Sequence, residues 1–240
     1  MSTNHIVSSF DDDLKKLDNF IAQMGGLAEA QLADAIDALI KRDVEKAQKV
    51  IERDRLIDDL ELQLDEFATS MIALRQPVAT DLRAVIAALK TSSVIERIGD
   101  YAKNIAKRTI PLSQTPVVGP INSVVRMAGL VQSMIKNVLD AYVSRDGDKA
   151  NDVLNSDEEV DALYTSLFRE LLTYMMEDPR VITSATHVLF VAKNIERIGD
   201  HATNIAGNVH FMVYGHPPEG RRPKGDASPY TILAPTTEEA

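Results

Sequence analysis

The 240-residue chain contains no cysteine and no tryptophan, and only six phenylalanines and six tyrosines. Without cysteine, the chain can form neither a disulfide nor a thiolate metal site. Any hydrophobic core must be built from Leu, Ile, Val, Met and Ala, a set that suits helices better than sheets. The composition therefore favours an all-α fold.

The chain also lacks net positive charge and long apolar runs. The formal net charge is −10, and such an acidic chain lacks the basic surface that binding to a nucleic-acid backbone requires. No apolar run approaches the ~20 residues that span a bilayer, and the first residues carry no secretion signal. We therefore expect a soluble, cytoplasmic protein with no transmembrane segment and no nucleic-acid partner.

Apolar periodicity and its breaks predict six long helices in two sets of three. Pro77 lies in the turn before the third helix, and Pro111 is expected to end that helix. The predicted helices cover about residues 10–41, 44–75, 78–109, 121–144, 149–177 and 180–214.

Short turns between long helices predict antiparallel packing, and three amphipathic helices bury their apolar faces most simply as a bundle. The chain is therefore predicted to form two tandem antiparallel three-helix bundles. The predicted segments are a flexible N-terminus (1–9), a first bundle (10–110), a linker (111–120), a second bundle (121–214) and a disordered tail (215–240).

The two bundles form an internal repeat. IERIGDYAKNIA, at residues 95–106, returns as IERIGDHATNIA at residues 195–206, with ten of the twelve positions identical. In the preceding helices, a shift of 103 residues aligns the Asp54/Asp58 pair with the Asp157/Asp161 pair. Because His201 is a tyrosine in the other copy, we do not expect His201 to be a required metal ligand.

Each half of the repeat carries two pairs of carboxylates four residues apart, on consecutive helices, and residues four apart share a helix face. Residues equidistant from a hairpin turn lie level with each other. Around Pro77, Asp58 should face Glu96 and Asp54 should face Asp100; in the second half, Asp161 should face Glu196 and Asp157 should face Asp200. The candidate site residues are therefore Asp54, Asp58, Glu96, Asp100, Asp157, Asp161, Glu196 and Asp200.

On a helical wheel these carboxylates lie off the apolar stripes, so we expect them on the outer face of each bundle. Four carboxylates held together repel one another unless a cation is present. Oxygen ligands suit hard ions, so the pattern predicts divalent or trivalent metal ions: Mg²⁺, Mn²⁺, Ca²⁺, Zn²⁺ or iron. Asn104 and Asn204 could add carbonyl ligands. The alternative is a solvated acidic face paired with Arg97 and Arg197.

Gly99 and Gly199 interrupt the helical pattern between the paired carboxylates, where glycine costs roughly 0.5–1 kcal/mol relative to alanine. A missing Cβ would let a neighbouring helix approach closely. The alternative is a packing glycine unrelated to the carboxylates.

Enzymatic motifs are missing from the sequence. It has neither a Gly-x-Ser-x-Gly nucleophile elbow nor a Gly-rich phosphate loop with lysine. Ferritin-type oxidases use a Glu-x-x-His motif with ligands that point into the bundle, whereas here the spacing is Glu-x-x-x-Asp. We therefore expect a non-enzymatic protein, with a carboxylate-bridged metal oxidase or a metal-storage protein as the alternative.

The order of four motifs across both repeats resembles the PhoU family of phosphate-uptake regulators. The motifs are RQPVATDLR (75–83), IERIGDYAKNIA (95–106), DPRVITSATHVLF (178–190) and IERIGDHATNIA (195–206). The resemblance covers about residues 10–214. It implies tandem three-helix bundles with surface metal clusters held by a Glu/Asp-x-x-x-Asp motif, which the same eight carboxylates satisfy.

The resemblance also implies a biological role. It implies a cytoplasmic, homodimeric negative regulator that reaches the membrane through its partners, the ATPase of the phosphate ABC transporter and the phosphate-sensing histidine kinase. Such a regulator would damp the phosphate-starvation response when phosphate is plentiful. Tyr101 departs from the histidine usual in the family, which implies that the two sites are unequal.

Overall fold

The computed structural model describes residues 2–116 and 119–218, with side chains described from residue 11 onward. Within these ranges the chain is almost entirely helical, which confirms the all-α prediction. In chain order the helices are α1 (Ser2–Lys41), α2 (Val44–Arg53), α3 (Arg55–Arg75), α4 (Ala79–Leu112), α5 (Ile121–Ser144), α6 (Gly147–Glu177) and α7 (Ile182–Tyr214).

The helices form the predicted pair of three-helix bundles. The first consists of α1, the α2–α3 segment and α4, and the second consists of α5, α6 and α7. Ile21, Leu64 and Ile98 are fully or almost fully buried in the first bundle, and Leu167 and Ile198 in the second. These side chains are the apolar stripes that the periodicity predicts.

The first turn of each bundle is built in the same way. Arg42 and Arg145 both adopt left-handed backbone angles, each with φ of 57°. Asp43 then caps α2 by accepting a hydrogen bond from the backbone N–H of Lys46, and Asp146 caps α6 through Lys149. A side-chain oxygen at this position satisfies a backbone donor that a helix start leaves unpaired, so the Arg-Asp repeat is a repeated helix cap.

Helix limits depart from the prediction in both bundles. α1 begins at Ser2 rather than near residue 10, and the predicted helix over 44–75 is interrupted at Asp54, whose backbone stays right-handed (φ −53°, ψ −39°). α4 continues through Pro111 to Leu112. The prediction that Pro111 ends the helix is wrong because proline has a helical φ and, in the last turn, removes only one hydrogen bond.

In the second bundle, α6 begins at Gly147 rather than Lys149, and α7 begins at Ile182 after a 3-10 turn at Pro179–Val181. The predicted linker includes residues 117–118, which lie outside the described residues. The predicted tail lies outside them from residue 219 onward.

The bundles pack against each other mainly through α4 and α7. Contacts between the two helices run from Thr91 with Asn208 to Arg108 with His187, so the helices are antiparallel. α1 also meets α5, where Gly25 lies against Leu139. The buried side chains of both bundles therefore form one continuous core. Within the described ranges, no helix has the length and apolarity to cross a membrane.

Candidate functional site: two carboxylate clusters

The first cluster is built around Asp54, which is only 3% exposed. Gln31 of α1 donates hydrogen bonds to Asp54 Oδ1 (2.7 Å) and to the carbonyl oxygen of Gly99 (3.1 Å). Lys103 of α4 binds the other oxygen of Asp54 and also Asp100 Oδ1, at 2.5 Å for the latter. Asp54 and Asp100 therefore approach each other, as the hairpin geometry predicts, and an ammonium group of the chain itself lies between them.

Lys103 is held in its charged form by these contacts. Burial opposes the charge, but the hydrogen bonds to Asp100 and Asp54 outweigh burial and raise the pKa of Lys103. A charge-assisted contact of this kind is roughly twice as strong as a neutral hydrogen bond. The lysine therefore acts as a permanent counter-ion in the first cluster.

Glu96 lies at the edge of the first cluster, and one of the charges that act on it is Glu61, which is not among the eight predicted carboxylates. Burial raises the pKa of Glu96 to about 7, and the negative charges of Asp100 and Glu61 add to this effect. Arg97 Nε lies 3.6 Å from Glu96 Oε2. Burial, followed by the charge of Asp54, also raises the pKa of Asp58. The α3 carboxylate that acts most on Glu96 is thus Glu61, three residues beyond Asp58.

The second cluster is more deeply buried than the first. Asp157, Asp161 and Glu196 are 2%, 3% and 5% exposed, and Lys193 Nζ lies 2.9 Å from Glu196 Oε2. Burial raises the pKa of Glu196, the ion pair with Lys193 opposes this shift, and Asp200 and Asp161 add to it. The influence of Asp161 on Glu196 agrees with their predicted level positions.

Gly99 and Gly199 permit the helices to approach at the buried aspartates. A Cβ on residue 99 would lie 2.8 Å from Ile57 Cδ1 and 3.4 Å from Asp54 Oδ1. A Cβ on residue 199 would lie 3.3 Å from Asp157 Oδ1. Contacts of 3.0–3.4 Å are tighter than nine in ten real Cβ contacts. Gly199 therefore leaves room for the buried Asp157, whereas Gly99 mainly leaves room for the packing of Ile57 beside Asp54.

The expectation that all eight carboxylates lie on an outer face is wrong for half of them. Glu96, Asp100 and Asp200 are partly exposed and Asp58 is exposed, but four are buried. A helical wheel of one hairpin omits the third helix of the bundle, and in the first bundle that helix, α1, contacts the cluster through Gln31. The four buried carboxylates are Asp54, Asp157, Asp161 and Glu196.

The donor chemistry of the two clusters differs in its fit to a metal ion. Among the residues that the structure describes, no three His, Asp or Glu side chains converge in a metal-binding arrangement, so a bound ion would require side-chain rotation. In the first cluster the ammonium group of Lys103 lies between Asp54 and Asp100. A metal ion does not fit between them while Lys103 is there. In the second cluster, buried carboxylate oxygens fit a hard cation.

His201 and Tyr101 lie in the α4–α7 interface. Their rings stack with centroids 5.4 Å apart, and Arg197 Nη1 donates a hydrogen bond to the Tyr101 hydroxyl at 3.2 Å. Arg197 therefore links the two bundles, a different role from the acidic-face partner considered from the sequence. Asn104 lines a groove between α4 and α7, and Asn204 is exposed.

Comparison with known proteins places the whole architecture in one family. The sequence matches the PhoU domain twice, over residues 21–109 and 124–209, and these two matches coincide with the two bundles. The chain belongs to the PhoU family.

The relatives extend along almost the full chain. A "Phosphate-specific transport system accessory protein PhoU homolog" from Rhizobium meliloti is 51% identical over 227 residues, covering 94% of this chain and 96% of the relative. A homologue of the same name from Caulobacter vibrioides is 50% identical over 225 residues, covering 93% and 98%.

Two solved structures have the same fold. The crystal structure of PhoU from Pseudomonas aeruginosa is 40% identical, with a TM-score of 0.83, and covers 86% of this chain and 99% of that one. The phosphate transport system regulatory protein PhoU from Streptococcus pneumoniae is 27% identical, with a TM-score of 0.82, and covers 88% and 99%.

Proposed function

We propose that this protein is a non-enzymatic negative regulator of phosphate uptake and of phosphate-starvation signalling. The observation that carries the proposal is the pair of PhoU domain matches over both bundles, together with relatives that are named as accessory proteins of the phosphate-specific transport system. In this proposal the protein is a cytoplasmic homodimer that acts on the ATPase of the phosphate ABC transporter and on the phosphate-sensing histidine kinase.

A rigid helical scaffold suits an adaptor. Its long helices share one continuous core, so bound partners would be held in a fixed relative orientation. The acidic charge of the chain, −10, favours partner surfaces of opposite charge and accelerates their association. The protein would then work by occupying a partner surface and would need no chemical step.

The test is a reporter of the phosphate-starvation response in the native host. Deletion of the gene should switch the reporter on in phosphate-rich medium, and the wild-type gene on a plasmid should switch it off again. A reporter that stays repressed after deletion would contradict the proposal. Co-purification of the tagged chain with the transporter ATPase and the histidine kinase tests the two partners separately.

The proposal also includes a metal-binding site. We infer that a divalent or trivalent ion binds in the second bundle through Asp157, Asp161, Glu196 and Asp200, and that the ion would neutralise these buried carboxylates. Support comes from the burial of three of them and from the mutual repulsion of neighbouring carboxylates, which a bound cation would relieve. The first cluster is a weaker candidate because Lys103 already supplies its counter-charge.

Matched pairs of substitutions test this inference. Asp161→Asn with Glu196→Gln should remove most of the metal measured by elemental analysis of the purified protein. Asp58→Asn with Glu96→Gln, at the corresponding positions of the first half, should leave most of it. Equal loss from both pairs would contradict the preference for the second bundle. Circular dichroism should be used to check that both variants are folded.

A carboxylate-bridged oxidase or a metal-storage protein is the alternative function. That alternative predicts oxygen consumption or iron uptake when ferrous iron is added to the metal-free protein. We expect neither. Oxygen consumption, measured with an oxygen electrode, and iron bound to the protein after gel filtration therefore distinguish the regulator from the oxidase or storage protein.

A further inference from the structure

A groove of ≈ 400 Å³ lies between α4 and α7 and plays no part in the proposed function. Asn104, Lys107 and Arg108 line it from α4, and His187, Phe190 and Asn194 line it from α7. Lys107 and Arg108 are the charged residues of this lining, although the chain as a whole carries −10. The groove is therefore a local concentration of positive charge on an acidic protein.

Arg108 is held in place by two neighbours. Its guanidinium carbon lies 4.5 Å from the centroid of the Phe190 ring, and its Nη1 lies 3.1 Å from His187 Nδ1. Stacking on an aromatic ring fixes the plane of a guanidinium, which reduces the entropy lost when it binds a ligand. Arg108 has five N–H donors, so donors remain for a ligand after the contact with His187.

His187 lines the groove beside Arg108. Burial, together with the charge of Arg108, lowers the pKa of His187, so the ring is neutral near pH 7. Arginine can only donate, and His187 Nδ1 is therefore the acceptor of the Arg108 contact. The ring proton must then be on Nε2, which makes that atom a hydrogen-bond donor.

The internal repeat provides a built-in comparison. A shift of 100 residues places Asn204, Gly207 and Asn208 of α7 opposite Ala87, Lys90 and Val94 of α4 at the other end of the interface. Of these six residues, Lys90 alone is cationic, and its Nζ lies 5.2 Å from the centroid of the Phe211 ring. Each set of six positions contains two asparagines, but two adjacent cations occur only at the end that contains Arg108.

We propose that the α4–α7 groove binds inorganic phosphate, with Arg108 and Lys107 as the charged ligands and Asn104 as a hydrogen-bonding ligand. The planar fork of arginine matches two phosphate oxygens at once, and lysine supplies a point charge. Phosphate near neutral pH carries between one and two negative charges, which two cations balance. The inference goes beyond the proposed function and stands without it, since a regulator can act on its partners with or without a phosphate site of its own.

Isothermal titration calorimetry of the full chain with sodium phosphate tests the proposal. The buffer should be of low ionic strength, because salt screens charge–charge attraction, and should contain EDTA so that phosphate cannot bind through a metal ion. We expect saturable binding to the wild-type protein. The double variant Lys107→Gln/Arg108→Gln should bind phosphate at least about tenfold more weakly, because it loses charge-assisted hydrogen bonds.

Lys90→Gln, at the other end of the interface, is the matched control and should bind phosphate as tightly as the wild type. The absence of saturable binding to the wild type, or unchanged affinity in the double variant, would overturn the proposal. An equal loss of affinity in Lys90→Gln would also overturn it. Binding of phosphoserine without binding of free phosphate would assign the groove to a phosphorylated partner and refute the site for the free ion. Thermal unfolding of each variant should be measured to check that the variant is folded.

Discussion

In the first bundle Lys103 reaches from α4 to Asp54 and Asp100, whereas the corresponding residue of the second bundle is Thr203, which donates its hydroxyl hydrogen to the backbone carbonyl of Asp200. Gln31 likewise binds Asp54 in the first bundle, and the residue that corresponds to it is the buried Met134. The two clusters therefore have the same carboxylates but different neutralising groups.

This difference shows that the repeated motif has two parts with different roles. The Glu-Arg-Ile-Gly-Asp segment positions the carboxylates and supplies the glycine that lets a neighbouring helix approach. Residues that differ between the copies supply the counter-charge. A buried carboxylate requires a partner, and in the first bundle Lys103 is that partner for Asp54. The second bundle pairs Glu196 with Lys193 and is the one that we propose binds a metal ion.

Replacing Lys103 should have the largest effect on stability. Lys103→Met removes the cation from Asp54, whose side chain is 5% exposed, and leaves a buried charge without its ion pair. Such a loss typically costs about 3–5 kcal/mol in a fully buried pair. Because the lysine side chain is 21% exposed, we expect about 2–4 kcal/mol less unfolding free energy, measured by urea denaturation in EDTA.

Thr203→Val is the matched control for Lys103→Met. It removes one side-chain to backbone hydrogen bond and should cost about 1 kcal/mol. Equal destabilisation by the two substitutions would show that Lys103 is not the structural counter-ion of the first cluster. Added Mg²⁺ or Mn²⁺ should restore stability to Lys103→Met more than to the wild type, because a metal ion could then bind between Asp54 and Asp100.

Gln31→Met introduces the side chain found at the corresponding position in the second bundle and should have an intermediate effect. It removes the hydrogen bonds to Asp54 and to the Gly99 carbonyl, at an expected cost of about 1–2 kcal/mol. Gln31 and Lys103 both bind Asp54, so their substitutions should be non-additive, by roughly 0.5–3 kcal/mol. Additive free energies in urea denaturation would contradict a shared role, while Gln31→Met and Thr203→Val should be additive.

The sequence was sufficient to predict the two bundles, whereas the role of the eight carboxylates as metal ligands stays a prediction. Apolar periodicity over long segments defines helices, and the symmetry of a hairpin determines which residues lie level. That symmetry agrees with the structure for Asp54 with Asp100 and for Asp161 with Glu196. It did not identify Glu61 as the neighbour of Glu96.

Other features depend on contacts between helices that are distant in the sequence. Gln31 and Lys103 come from α1 and α4, and the burial of Asp54 depends on both helices. Two signals for them were nevertheless available: Gln31 is a polar residue within the apolar stripe of α1, and Lys103 is one of the two positions at which the repeated segments differ. The other is Tyr101/His201, whose rings stack on each other across the α4–α7 interface.

The smallest effect should be on the pH dependence of stability. In the folded protein the pKa of Glu96 is raised to about 7, first by burial and then by Asp100 and Glu61, above its ordinary value of 4.5. Between these two pKa values, Glu96 is protonated in the folded state and ionised in the unfolded state. Stability should fall as pH rises from 4.5 to about 7 and change little through Glu96 at higher pH.

Glu96→Gln should flatten this part of the pH profile, measured as urea denaturation midpoints at pH 5, 6, 7 and 8 in EDTA. Glu196→Gln is the corresponding substitution in the second bundle. Burial raises the pKa of Glu196 as well, but Lys193 opposes that shift, so Glu196→Gln should flatten the profile less. If Glu196→Gln flattens the pH profile more than Glu96→Gln does, the pKa of Glu196 is raised more than that of Glu96. Lys193 would then not be an effective counter-ion for Glu196.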